Sequence, residues 1–238
     1  MISRIFFILT VGIFIHSILI AQKNNCCPVH VAGAMYHVMW DGQLSGTIDL
    51  DTITNKDHLY GLGPLEYLAG ELLVLDGKSY KSAVQTGSEM IVEETYNVKA
   101  PFFVYANVAR WKVRSLPHRI QTLTQLETYL DHITQRAPRP FAFKLTGFIQ
   151  TATLHIVNLP EGTSVHAPVD AHQGSMSYQL KNQEVIIAGF FSTQHQAIFT
   201  HHDSYVHAHL ITTDKSQMGH VDEVHFGRGG VKLYLPKK

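Results

Sequence analysis

The chain has 238 residues, formal net charge zero and no cluster of basic residues, which excludes a nucleic-acid-binding role. Its only cysteines, Cys26 and Cys27, are adjacent, so the disulfide framework of small secreted domains is excluded as well. At 45% hydrophobic the chain can build one sizeable core or two small domains.

Met1 to Arg4 is a short basic start, and Ile5 to Ile20 is almost wholly apolar before Ala21-Gln22 and a polar Lys23-Asn-Asn25. That is the pattern of a secretory signal peptide, with the cut expected after Ala21 and an exported product, periplasmic or secreted. The alternative is an uncleaved anchor, for which the apolar run falls short of the roughly 20 residues of a bilayer span. No other stretch reads as transmembrane, so no membrane contact is expected after cleavage. Cys26 and Cys27 follow in a segment expected to be poorly ordered. A vicinal disulfide, an intermolecular bridge and two idle thiols all stay open, with idle thiols the default.

His30 to Trp40 is apolar-rich without a clean period. Glu71 to Tyr80 predicts a hairpin, because a β-rich run meets Asp76-Gly77, the dipeptide of tight primed turns. Pro101 to Val108 reads as a strand. From Pro117 to Gln135 the period changes: Ile120, Leu123, Leu126, Leu130 and Ile133 form one helical stripe, and Pro117 suits a first turn. Ala137 to Pro140 ends that helix. Strands are then expected at 141–149, 151–157, 184–191, 205–213, 221–226 and 231–235, with 160–175 a loop. The domain expectation is a signal peptide at 1–21, an N-terminal sheet-and-helix subdomain at 22–136 and a C-terminal β-rich metal-binding subdomain at 137–238.

The chemistry concentrates near the C-terminus, where ten of the 16 histidines follow residue 150. His207 and His209 are two apart on a predicted strand, so they point to one face. The polar 212–219 segment ends in glycine, as a reversal would, and His220 opens the next strand. Three imidazoles with a vacant fourth position are the arrangement of catalytic zinc, although imidazole also suits iron, nickel and copper. On a regular strand His220 and His225 face opposite ways, and Glu223 points away from His220. His201 and His202 read as surface or supporting groups in a polar turn. The competing reading is that the histidine pairs are coincidental.

Three blocks resemble the alpha-acetolactate decarboxylase family, bacterial zinc enzymes that make acetoin from 2-acetolactate. Gly61-Leu-Gly63 with Ala69-Gly-Glu-Leu-Leu-Val-Leu-Asp-Gly77 is similar to that family's glycine-rich segment. Ala100-Pro-Phe-Phe-Val104 is similar to a family strand, and Gly189-Phe-Phe-Ser-Thr193, His207-x-His209 and Gly219-His220-Val221 follow in family order. The resemblance covers nearly all of residues 30 to 236.

It implies an α/β fold, α+β-like in character: two sheet-based subdomains, a mixed N-terminal sheet and a largely antiparallel C-terminal sheet carrying the three-His site. It implies zinc, one divalent ion per chain, on His207, His209 and His220, with Glu71 an active-site carboxylate and a homodimer formed through the N-terminal sheet. Three positions depart from the family. Pro64 stands where the family has a substrate-site threonine, and His155 where it has a substrate-binding arginine. A second active-site glutamate, beyond the segment resembling Leu235-Pro236, has no counterpart before Lys238.

The function expected is an exported zinc-dependent carboxy-lyase with Glu71 and His155 as the catalytic pair. Its substrate would be a small 2-hydroxy-3-keto acid, 2-acetolactate first among them. Alternatives are a metal-binding homologue with another substrate or no decarboxylase activity, and a structural or interaction protein whose histidines are incidental.

Overall fold

Asp76 and Gly77 both take positive φ, 49° and 83°, and close the expected two-residue hairpin. The structure is a computed structural model, and it describes residues 26–227 and 230–237. The segment expected to be a signal peptide lies outside the described residues. In chain order the elements are β1 (His30–Ala32), α1 (Met35–Met39), β2 (Ile48–Asp49), β3 (Leu59–Pro64), β4 (Glu71–Leu75), β5 (Lys78–Val84) and β6 (Met90–Glu94). Next come β7 (Lys99–Ala100), β8 (Phe103–Asn107), β9 (Trp111–Ser115), α2 (Leu123–Ile133), β10 (Phe141–Ile156) and α3 (Pro168–Ala171). The last four are β11 (Met176–Phe191), β12 (Val206–Thr212), β13 (Met218–His225) and β14 (Lys232–Pro236).

The first sheet has the order β1-β8-β3-β4-β5-β6, and every pairing in it is antiparallel. The expectation of a mixed N-terminal sheet is therefore corrected. A parallel neighbour needs a crossover of a dozen or more residues, whereas β3, β4, β5 and β6 follow one another through short links. The second sheet has the order β11-β12-β13-β10-β14-β9, again antiparallel. Because β10 also pairs with β11, strands β10 to β13 close a barrel-like circuit. β9, which precedes residue 137, is the outer strand of this second sheet.

The two strands expected at 141–149 and 151–157 are one strand, β10, paired with β11 along its length. The ladder is interrupted between them, at Gln150 opposite Asn182, and Asn182 takes φ 53°. Either side of that break the inward residues change parity: Phe143, Leu145 and Ile149 are in the barrel core, and so are Ala152 and Leu154. This switch turns His155 outward, the face on which the site lies.

The helix begins later than Pro117 suggests. Thr122 caps α2, its hydroxyl accepting from the Gln125 N–H, and Leu126 and Leu130 are buried in the barrel core. The second core lies between the sheets, where Tyr60, Leu62, Leu73 and Val104 meet Ala188, Phe190, Ile211 and Met218. Cys27 belongs to this core, contrary to the disorder expected there, and its sulfur lies 3.1 Å from that of exposed Cys26.

Candidate metal centre

Alternation decides which side chains enter the seam between the sheets. On β12, Val206, Ala208 and Leu210 fill the barrel core, so His207 and His209 face outward toward the first sheet. β12 and β13 pair over only three positions, and one of these sets His209 directly opposite His220. One strand further, His220 is opposite His155. The start of β12 is held by Glu127 of α2, which accepts from the Ser204 hydroxyl and the Tyr205 N–H.

The structure brings together the three histidines predicted as ligands. One ring nitrogen from each of His207, His209 and His220 lies within 4.8 Å of the other two, and all three residues are buried. Ring centroids are 5.0 to 5.4 Å apart. Burial holds all three well below the ordinary imidazole pKa, and neighbouring histidines push the same way. His209 falls to about 3. Neutral imidazoles are the form that ligates.

The donors fit a divalent ion. Both ring nitrogens of His209 and Nδ1 of His207 are buried without a hydrogen-bond partner. The Phe199 and Leu72 backbones lie beside the His207 and His209 rings and pull their pKa values upward against burial. Orphaned buried groups cost about 1–3 kcal/mol each, a cost that coordination would remove. Three imidazoles and an open position suit zinc.

The first sheet supplies the carboxylate. Glu71 opens β4 with the parity of Leu73, facing the second sheet, and is 3% exposed. Its Oε2 is 3.6 Å from His209 Nε2 and its Oε1 is 4.0 Å from His155 Nε2. Oε1 also accepts from the Val157 N–H. Burial pushes Glu71 up to about 7, against the opposing pull of His155 and the Val157 hydrogen bond. For His155 burial lowers the pKa, but the Asp222 hydrogen bond and the charges of Glu71 and Asp222 outweigh it and leave the ring raised.

Pro64 pairs with Glu71 across β3 and β4 and lines the same space. That space is a cavity of about 20 Å³, walled also by Met35, Met39, Leu68, Phe102 and His172, and it holds about one water. On the other side of His201 and His220 a groove of about 370 Å³ runs between α2 and the splayed ends of β12 and β13.

Two site residues, His172 and Asp222, escape the sequence reading. His201 Nε2 is 3.3 Å from His220 Nε2, so of the two roles expected for His201 the structure selects the supporting one. His172, on a loop whose spacing carries no signal, stands edge-on to His155 with centroids 5.6 Å apart. Asp222 accepts from His155 Nδ1–H at 2.6 Å, and its position two residues after His220 was the available clue. β13 is also not regular. A bulge between its pairings with Thr153 and Leu154 leaves both Val221 and Val224 in the core. Hence Asp222 and Glu223 both turn outward, and His225 shares the outward face with His220 instead of opposing it. His225 and Glu223 are exposed.

An α+β scaffold of two packed antiparallel sheets, with three imidazoles on one and a buried carboxylate on the other, defines a class of protein able to hold a metal in its seam. Residues 32–237 match the family model of alpha-acetolactate decarboxylase, and the chain belongs to that family. It is 27% identical over 207 residues to the alpha-acetolactate decarboxylase of Lactococcus lactis subsp. lactis, covering 81% of this chain and 78% of that one. The enzyme of Brevibacillus brevis is 25% identical over 193 residues, covering 81% and 65%. Among solved structures, acetolactate decarboxylase from Bacillus subtilis subspecies spizizenii superposes with TM-score 0.73 at 19% identity, covering 88% of this chain and 86% of that one. A Staphylococcus aureus protein described as similar to alpha-acetolactate decarboxylase gives TM-score 0.73 at 18% identity, covering 87% and 84%. Both share the fold.

Proposed function

We propose that this protein is an exported zinc-dependent decarboxylase that converts 2-acetolactate to acetoin and carbon dioxide. The observation that carries the reading is the meeting of Glu71 with three buried, neutral imidazoles: a proton carrier 3.6 Å from a ligand set. Family membership supports the reaction class. Zinc held by His207, His209 and His220 would supply Lewis acidity toward the ketone and hydroxyl oxygens of the substrate.

The other parts belong to the chain. Cleavage of the bond between the carboxylate carbon and C2 releases carbon dioxide and leaves an electron pair at C2, delocalised toward the ketone. A proton must then reach carbon. Glu71 suits that step, because a carboxylic acid with pKa near 7 is substantially protonated at neutral pH. His155, with Nε2 facing the cavity, binds the substrate carboxylate where the resembling enzymes use arginine. One charge-assisted hydrogen bond there contributes about 1.5–3 kcal/mol. The hydrophobic leader supports export, and the family resemblance supports a homodimer.

The test is acetoin formation from 2-acetolactate by the zinc-loaded protein, with the metal-free protein as control. Turnover no faster than the control would end the reading. A second reading, a metal-binding homologue with another substrate, is favoured by Pro64, which puts no hydroxyl in the cavity, and by the cavity's volume of about 20 Å³. Stoichiometric metal without acetoin formation would select it.

A further inference from the structure

The bulge in β13 does more than disturb the ladder. With Val221 and Val224 both kept in the core, Asp222 is the residue left without a partner on β10. It turns back along the strand edge, and its Oδ1 accepts from His155 Nδ1–H at 2.6 Å. That bond occupies one of the two ring nitrogens. The other, Nε2, is left facing Glu71 at 4.0 Å across the cavity. His220 stacks against the same ring at a centroid distance of 4.6 Å and a tilt of 32°, and His172 closes its edge. These ring contacts restrict where the imidazole sits, but neither distinguishes Nδ1 from Nε2. An imidazole turned over about χ2 would put Cε1 where Nε2 now faces the cavity. Of these contacts only the Asp222 bond tells the two ring edges apart, because it needs Nδ1 on its side.

We propose that Asp222 is a positioning residue for His155: its carboxylate accepts from Nδ1–H and so fixes the ring orientation in which Nε2 faces the carboxylate of the substrate. The inference deepens the proposed decarboxylase reading and rests on His155 as the carboxylate contact.

The experiment compares zinc-loaded wild type, Asp222→Ala and Asp222→Asn. Asn keeps a side-chain oxygen able to accept from Nδ1–H, whereas Ala keeps none. In Asp222→Ala the KM for 2-acetolactate should rise about tenfold or more, with kcat within about threefold and full zinc content. Asp222→Asn should stay within about threefold of the wild-type KM. An unchanged KM in Asp222→Ala, or a fall in kcat alone in both variants, overturns the proposal. A second measurement does not depend on turnover. In ¹⁵N-labelled zinc-loaded protein, the His155 Nδ1–H should be slow to exchange with solvent in wild type and Asp222→Asn, and exchange at least about tenfold faster in Asp222→Ala. Wild-type protection persisting in Asp222→Ala would sink it. A wild type that makes no acetoin would defeat the decarboxylase reading, and the exchange measurement would then decide the role of Asp222 by itself.

Discussion

Glu71 Oε2 stands 3.6 Å from His209 Nε2, and the two residues come from different sheets. Neither sheet contains the site; packing one on the other assembles it. Burial then acts in opposite senses on the two groups. It favours the protonated carboxyl and the deprotonated imidazole, so at pH 7 His209 is neutral and Glu71 is about half protonated.

Removing one ligand should release the metal. His209→Ala leaves two imidazoles, too few for a catalytic zinc site. Elemental analysis after gel filtration should give one zinc per wild-type chain and close to none in the variant, and an affinity at least about 100-fold weaker. Stoichiometric zinc in His209→Ala would remove this trio as the ligand set.

Glu71→Gln preserves shape and burial but cannot give up a proton. It should lower kcat by roughly 10²–10⁴ at full zinc content, the range typical of a lost general acid. In the wild type, activity should decline as pH rises through about 7, where Glu71 loses its proton. A flat profile between pH 6 and 8 would exclude Glu71 as the donor.

Acid should destabilise the metal-free protein. His207, His209 and His220 have folded pKa values below the unfolded 6.5, so the unfolded chain takes up more protons below that pH. Their contribution is present above pH 6.5 and is lost as pH falls toward the folded values. For His209, with a folded pKa of about 3, the loss between pH 6.5 and 5 is on the order of 2 kcal/mol. Glu71 works the other way: its raised pKa stabilises below 4.5 and the effect fades as pH rises through about 7. His155, whose pKa is raised, acts in the same sense as Glu71, and His201, whose pKa is lowered, acts with the other three; the lowered groups outnumber the raised ones and leave net acid lability, to be read from urea midpoints at pH 5 and 7. A higher midpoint at pH 5 would contradict it.

Gly219 couples the fold to the site. A Cβ there would lie 2.7 Å from the backbone oxygen of His155, forcing β13 away from β10 one residue before His220. Gly219→Ala should cost about 1–3 kcal/mol, the usual penalty of overpacking, and should weaken zinc binding through displacement of His220. Unfolding and zinc titration measure the two effects, and wild-type values in both would refute the coupling.

Much of this molecule is legible in the chain. The Asp76-Gly77 turn, the stripe of α2 and the spacing of His207 and His209 are local signals, because period and turn chemistry act over a few residues. The 212–219 reversal adds His220, and the family blocks add Glu71, which no local rule would join to them. What escaped is a matter of register. A two-residue period holds only while a ladder is regular, and here it fails twice, at Gln150 and at Asp222. The first break turns His155 toward the site, and the second sets Asp222 beside it. His172 and His201 arrive on loops, whose paths carry no period at all.

The sequence by itself determined the strands, the main helix and which imidazoles share a face, since alternation and turn residues are properties of neighbours along the chain. Only the tertiary structure decided that Glu71 meets them and that Asp222 orients His155. Those contacts join residues 138 and 67 positions apart, and they depend on bulges and sheet packing that are set by the whole core.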